Sequence, residues 1–137
     1  MRSIVILLVI GLLAFSFQGR FGRNILEGPD LAIDHRAVSV LRGAITHVRD
    51  GDTFEVNGIP VRISALDCAE NSTAEGKKIT RFAKQFKGKE TICELTGAKT
   101  YDRVVGYCSI NGIDFGKMMM DETSCKLWAK YDIWNKY

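Results

Sequence analysis

The chain has 137 residues and carries Lys+Arg 19 against Asp+Glu 16, a formal net charge of +3. That length suits one domain burying roughly 65–70% of the surface its unfolded chain exposes. So small a positive excess excludes a protein that wraps nucleic acid by electrostatics alone, and by itself it names no partner.

The amino terminus reads as an export signal. Met1-Arg2 supplies a positive start, Ile4 to Phe15 is nearly all apolar, and Ala14-Phe15-Ser16 has the small-x-small form of a leader-peptidase site. The uncharged stretch from Ser3 to Gly19 falls short of the ~20 residues a comfortable spanning helix needs, so residues 1–19 are a cleaved signal or an uncleaved anchor. Residues 20–37 show no clear period and are interrupted by Gly22, Gly28 and Pro29, the texture of a linker, and residues 38–137 form the folded domain. Export puts Cys68, Cys93, Cys108 and Cys125 in an oxidising, secreted or periplasmic setting. An even count there points to disulfides, and the wide spacing fits no zinc pattern.

From Val38 the texture changes to short runs rich in β-branched residues: Val38 to Val48, Thr53 to Val56 and Ile59 to Leu66. Asn57-Gly58 joins the second and third runs as a two-residue turn that needs positive φ at both positions. Thr73 to Lys87 carries Ile79, Phe82, Ala83 and Phe86 at helical spacing, with Lys77, Lys78, Arg81, Lys84 and, just beyond, Lys87 and Lys89 on the other side. That basic face reads first as a solvated surface and second as a track for polynucleotide phosphates. Glu90 to Leu95 and Arg103 to Ile110 are two further strands, Asn111-Gly112 is a second tight turn, and a final helix is expected from Gly116 to about Lys130. Met118 to Met120 belong to its buried side. The resulting class is β-rich α+β: a five-stranded OB-fold barrel with a helix between the third and fourth strands and a C-terminal helix.

Asp50 and Asp52 fall at the turn between the first two strands, and Asp67 and Glu70 just past the third. If the sheet curls, these loops meet, and such hard oxygen ligands suit calcium (Ca2+). Asp50-Gly51 on its own is ordinary turn chemistry. Arg62, in mid-strand, either faces solvent or faces inward and needs an anion.

The stretches DGDTFEV and IPVRISALDCAE, followed by TYDRVVGYC, resemble the thermonuclease, or staphylococcal-nuclease-like, family. Its pattern is a D-G-D-T turn, a strand arginine, D-x-P-E, and later Y-G-R. The likeness runs from about Ala44 to Lys130, and separated motifs in the right order are far more specific than any one alone. The resemblance implies that Asp52 and Asp67 ligate calcium by carboxylate and Cys68 by its main-chain carbonyl. It implies that Glu70 activates water, that Arg62 and Arg103 hold the phosphate, and that Tyr101 lies beside it. It further implies hydrolysis of DNA and RNA with little sequence preference and products bearing a 3′-phosphate. The expected partners are these substrates, with a membrane only if the leader is uncleaved, and the chain is expected to act as a monomer.

Two departures from the pattern stand out: Ala69 replaces the proline of D-x-P-E, and Asp102 replaces the glycine before the second arginine. A charge at 102 able to pair with Arg103 or Arg62 competes with substrate. Two rival readings follow, a catalytically silent nucleic-acid-binding module and a disulfide-stabilised structural domain. Tyr131 and Trp134 join Tyr101 either as stacking faces for bases or as caps on the core. Cys93 and Cys108 fall on neighbouring strands, where antiparallel pairing brings them within disulfide reach. Elimination then leaves Cys68 with Cys125, on the last helix.

Overall fold

The computed structural model describes residues 32–137. The leader and most of the linker segment lie outside the described residues. In chain order the elements are β1 (Ser39–Val48), β2 (Thr53–Val56), β3 (Ile59–Ile63), β4 (Leu66–Asp67), α1 (Ala74–Lys84), β5 (Glu90–Thr100), β6 (Arg103–Ile110), β7 (Ile113–Asp114), α2 (Phe115–Glu122), β8 (Lys126–Leu127) and a 3-10 turn at Ala129–Tyr131.

Each strand buries part of its length, including Ile45 and Val48 of β1, Phe54 and Val56 of β2, Val61 and Ile63 of β3, Cys93 of β5, and Cys108 and Ile110 of β6. Gathering these residues curls the sheet into a barrel. The hydrogen-bonded order is β3-β2-β1-β5-β6, antiparallel throughout, and a parallel pairing of β3 with β6 closes the ring. The result is a five-stranded, OB-like barrel with α1 between the third and fourth barrel strands, as expected. Phe54, Val56, Val61 and Ile63 point into it with 1% exposure or less. Phe115 caps them from the start of α2, its ring edge-on to Phe54 at 5.0 Å.

Both Asn-Gly turns form as expected, with φ of 49° and 78° at Asn57-Gly58 and 51° and 76° at Asn111-Gly112. Helix α1 begins where Thr73 Oγ1 accepts the Gly76 N–H at 2.9 Å. It lays Ile79 and Ala83 on the barrel, with Phe82 and Phe86 packed beside them. All six basic residues from Lys77 to Lys89 are exposed. Met119 is fully buried, with Met118 and Met120 packed against the core.

Two expectations need correction. The third run does not continue to Leu66: β3 stops at Ile63, Ala65 turns the chain at φ 63°, and Leu66–Asp67 pair with β8 instead. The final helix ends at Glu122 rather than near Lys130. Thr123 is extended at φ −133°, and its hydroxyl and N–H both donate to the Met119 carbonyl as the helix ends. Cys125 therefore sits in a loop. Residues beyond it run as a strand because their backbone pairs with Leu66–Asp67.

Both disulfides are present. Cys93 and Cys108 face each other across the β5–β6 ladder, and Cys68 joins Cys125. No free cysteine remains, which fits an oxidising, extracytoplasmic setting and removes Cys68 as a nucleophile.

Candidate functional site

Three connections meet over a cavity of about 440 Å³: the Arg49–Thr53 turn, the segment after β3, and the β5–β6 turn. Asp50, Asp52, Arg62, Asp67, Cys68, Glu70, Tyr101 and Arg103 all line it. Residues from Asp50 to Arg103, far apart along the chain, thus share one hollow.

Local packing explains how the acidic turn reaches this place. Gly51 lies so close to Ile79 of α1 and to Cys68 that a Cβ there would collide with both. Gly76, in the first turn of α1, likewise presses on the Glu70 carbonyl. Each glycine is a point of close backbone approach that seats a carboxylate-bearing loop on the helix.

Arg62 faces inward. Its side chain is 16% exposed, Nη2 lies 3.4 Å from Asp52 Oδ2, and Nη1 donates to the Ile63 carbonyl at 2.6 Å. Arg103 Nη1 donates to Thr53 Oγ1 at 3.1 Å, and Thr53 Oγ1 donates to Asp52 Oδ1 at 3.1 Å. One buried hydroxyl therefore connects the acidic turn to the second arginine. Tyr101 stands at the mouth, 95% exposed, with Arg103 held 5.6 Å from its ring centre.

The electrostatics are unbalanced at Asp52. Burial pushes its carboxyl up to about 7, Arg62 pulls it down, and the neighbouring Asp50 carboxylate raises it again. A carboxylate pair with one partly engaged arginine is short of positive charge, and a divalent cation would supply it. Among the described residues no three His, Cys, Asp or Glu side chains are grouped to hold a metal by themselves. Asp52, Asp67 and Cys68 do line the same cavity, and carboxylate and main-chain carbonyl oxygens are donors that calcium accepts alongside water.

Asp102 does not pair with Arg103 or Arg62. Both its oxygens go to Arg49, at 3.1 and 2.9 Å, while Arg49 also reaches Glu55 at 2.9 Å. The hydrogen bonds of the charge at position 102 thus go to Arg49 and not to either cavity arginine.

The aromatic expectations divide. Trp134 is 6% exposed and stacked on Tyr107 at 4.8 Å, so it caps the core and offers no face to a ligand. Tyr131 lines the cavity, joined by Trp128 and Ile133, which sequence reasoning missed. The Trp128 and Tyr131 rings meet edge-on at 4.5 Å, each 44% exposed. The signal was available in the aromatic spacing of Trp128 and Tyr131, but a helix through this region would have pointed them elsewhere.

No protein-family model and no curated protein matches the chain.

Proposed function

We propose that the protein is a calcium-dependent nuclease of the staphylococcal-nuclease-like kind, hydrolysing phosphodiester bonds of DNA and RNA with little sequence preference. The observation that carries this reading is the convergence of Asp52, Asp67 and Glu70 with Arg62 and Arg103 around one cavity. Phosphodiester hydrolysis needs an activated water, a means of holding charge on the phosphoryl oxygens, and an in-line arrangement.

Asp52, Asp67 and the Cys68 carbonyl would hold calcium, which when bound supplies Lewis acidity to a phosphate oxygen. Arg62 and Arg103 present forked N–H donors to the phosphate, and this help grows as charge builds toward the transition state. Glu70 takes the proton of the attacking water. Tyr101, Trp128 and Tyr131 offer faces on which bases stack, an interaction indifferent to sequence. The exposed lysines of α1 add long-range attraction for a polyanion. This role set favours single-stranded or frayed substrate, because stacking needs a base out of its duplex.

Plasmid nicking tests the proposal. Wild type should cut with calcium and stop with chelator, and Glu70→Gln and Arg103→Ala should each lower the rate about 10²–10³-fold. Retained binding with no chelator-sensitive cutting would instead favour the silent binding module, and loss of both would favour a structural domain.

A further inference from the structure

The two disulfides occupy unlike positions. Cys93 and Cys108 are directly opposed residues of β5 and β6, two strands already held by an extended ladder. Removing that bridge leaves the pairing in place. Cys68–Cys125 joins residues 57 apart in sequence. It ties the loop that carries Asp67 and Glu70 to the segment that carries Trp128 and Tyr131.

The chain is anchored again beyond this junction, where Trp134 packs on Tyr107 and Asp132 accepts the Tyr107 hydroxyl, and before it, where Ser124 Oγ donates to Glu75. The junction itself is held by few contacts. The strands β4 and β8 are two residues each, pairing Leu66 with Leu127 and Asp67 with Lys126. The Trp128 N–H donates to the Ala65 carbonyl at 2.7 Å, and Ser64 Oγ donates to the Tyr131 carbonyl at 2.8 Å. Lys126, Leu127 and Trp128 are themselves exposed, so the stretch between buried Cys125 and buried Trp134 has scant apolar burial of its own. A two-residue strand pair is marginal without a tether, and closing a loop of this length in the unfolded chain is what a disulfide does most for.

We propose that the Cys68–Cys125 bridge is the positioning device that assembles the acidic loop and the aromatic wall into one cavity, so that the site is completed only once the chain is oxidised. The bridge forms by exchange with an oxidant of the disulfide class. One cysteine thiolate attacks the oxidant disulfide and forms a mixed disulfide, and the second thiolate displaces the oxidant's remaining thiol. Two cysteine protons are released, the cysteines are oxidised, and the oxidant becomes a dithiol. A chain still in a reducing compartment has a barrel but an unassembled cavity. On the nuclease reading, on which this consequence rests, the producing cell's own nucleic acid is spared until export.

The test compares wild type with Cys68→Ala/Cys125→Ala and Cys93→Ala/Cys108→Ala chains by amide hydrogen exchange and by cleavage of single-stranded DNA in calcium. In the first variant the Trp128 and Lys126 amides should lose protection at least about tenfold while the β5–β6 amides keep theirs, and kcat/KM should fall roughly 10–100-fold, mainly through KM. The second variant should leave Trp128 protection as in wild type. Unchanged Trp128 protection in Cys68→Ala/Cys125→Ala would overturn the inference, and so would loss of the whole barrel by circular dichroism. If wild type cuts nothing, the nuclease reading falls, yet the exchange comparison still decides the role of the bridge.

Discussion

Thr53 joins the two poles of the cavity through one hydroxyl, 1% exposed, that touches both Asp52 and Arg103. Thr53→Val keeps the shape and removes both contacts, leaving Arg103 only its longer bonds to Thr100, so it should cost about 1–2 kcal/mol in urea unfolding and slow cleavage by loosening Arg103. Asp52 gives a pH signature. Its carboxyl is pushed up to about 7 by burial first, and by Asp50, against the pull of Arg62. The folded protein therefore binds a proton that the unfolded chain releases near pH 4. That contribution to stability is whole below about pH 4 and is lost as pH rises through about 7. In calcium-free buffer, wild type should lose roughly 2–4 kcal/mol relative to Asp52→Asn across that window, and calcium at neutral pH should restore it. Equal pH profiles for the two chains in denaturant melts would contradict this.

At the scale of elements, the barrel was legible because its signals are local. Short runs rich in β-branched residues mark the first three strands, the Asn-Gly pairs mark the turns, and the apolar spacing of Ile79, Phe82, Ala83 and Phe86 marks α1. The segment after Glu122 was misread because nothing local makes it a strand. Its form comes from pairing with Leu66–Asp67 and from Cys125, both distant in sequence. Helix seating is also an element-scale property. Gly51→Ala would push Ile79 and Cys68 from the acidic turn, so it should destabilise the fold by about 1–3 kcal/mol in thermal or urea unfolding. Exposed Thr73 caps α1, and Thr73→Ala should cost about 1 kcal/mol by the same measurement.

For the whole molecule, the candidate site was more legible than its surroundings. Asp52, Arg62, Asp67, Glu70 and Arg103 stand in recognisable order along the chain, and the cavity gathers them. What could not be read was which outer groups serve them. Arg49 meets Asp102 across 53 positions, and Trp128 enters the cavity wall only because the chain turns back after Cys125. Such partners are set by barrel closure, not by neighbours in sequence. Release of nucleotides from single-stranded DNA by the oxidised protein, followed as calcium is titrated, separates a nuclease from a silent binding module. Cleavage should saturate with calcium, stop with chelator, and fall about 10²–10³-fold in Glu70→Gln while strand binding persists. Cleavage indifferent to calcium and to Glu70, or binding with no cleavage at any calcium concentration, would contradict the nuclease reading.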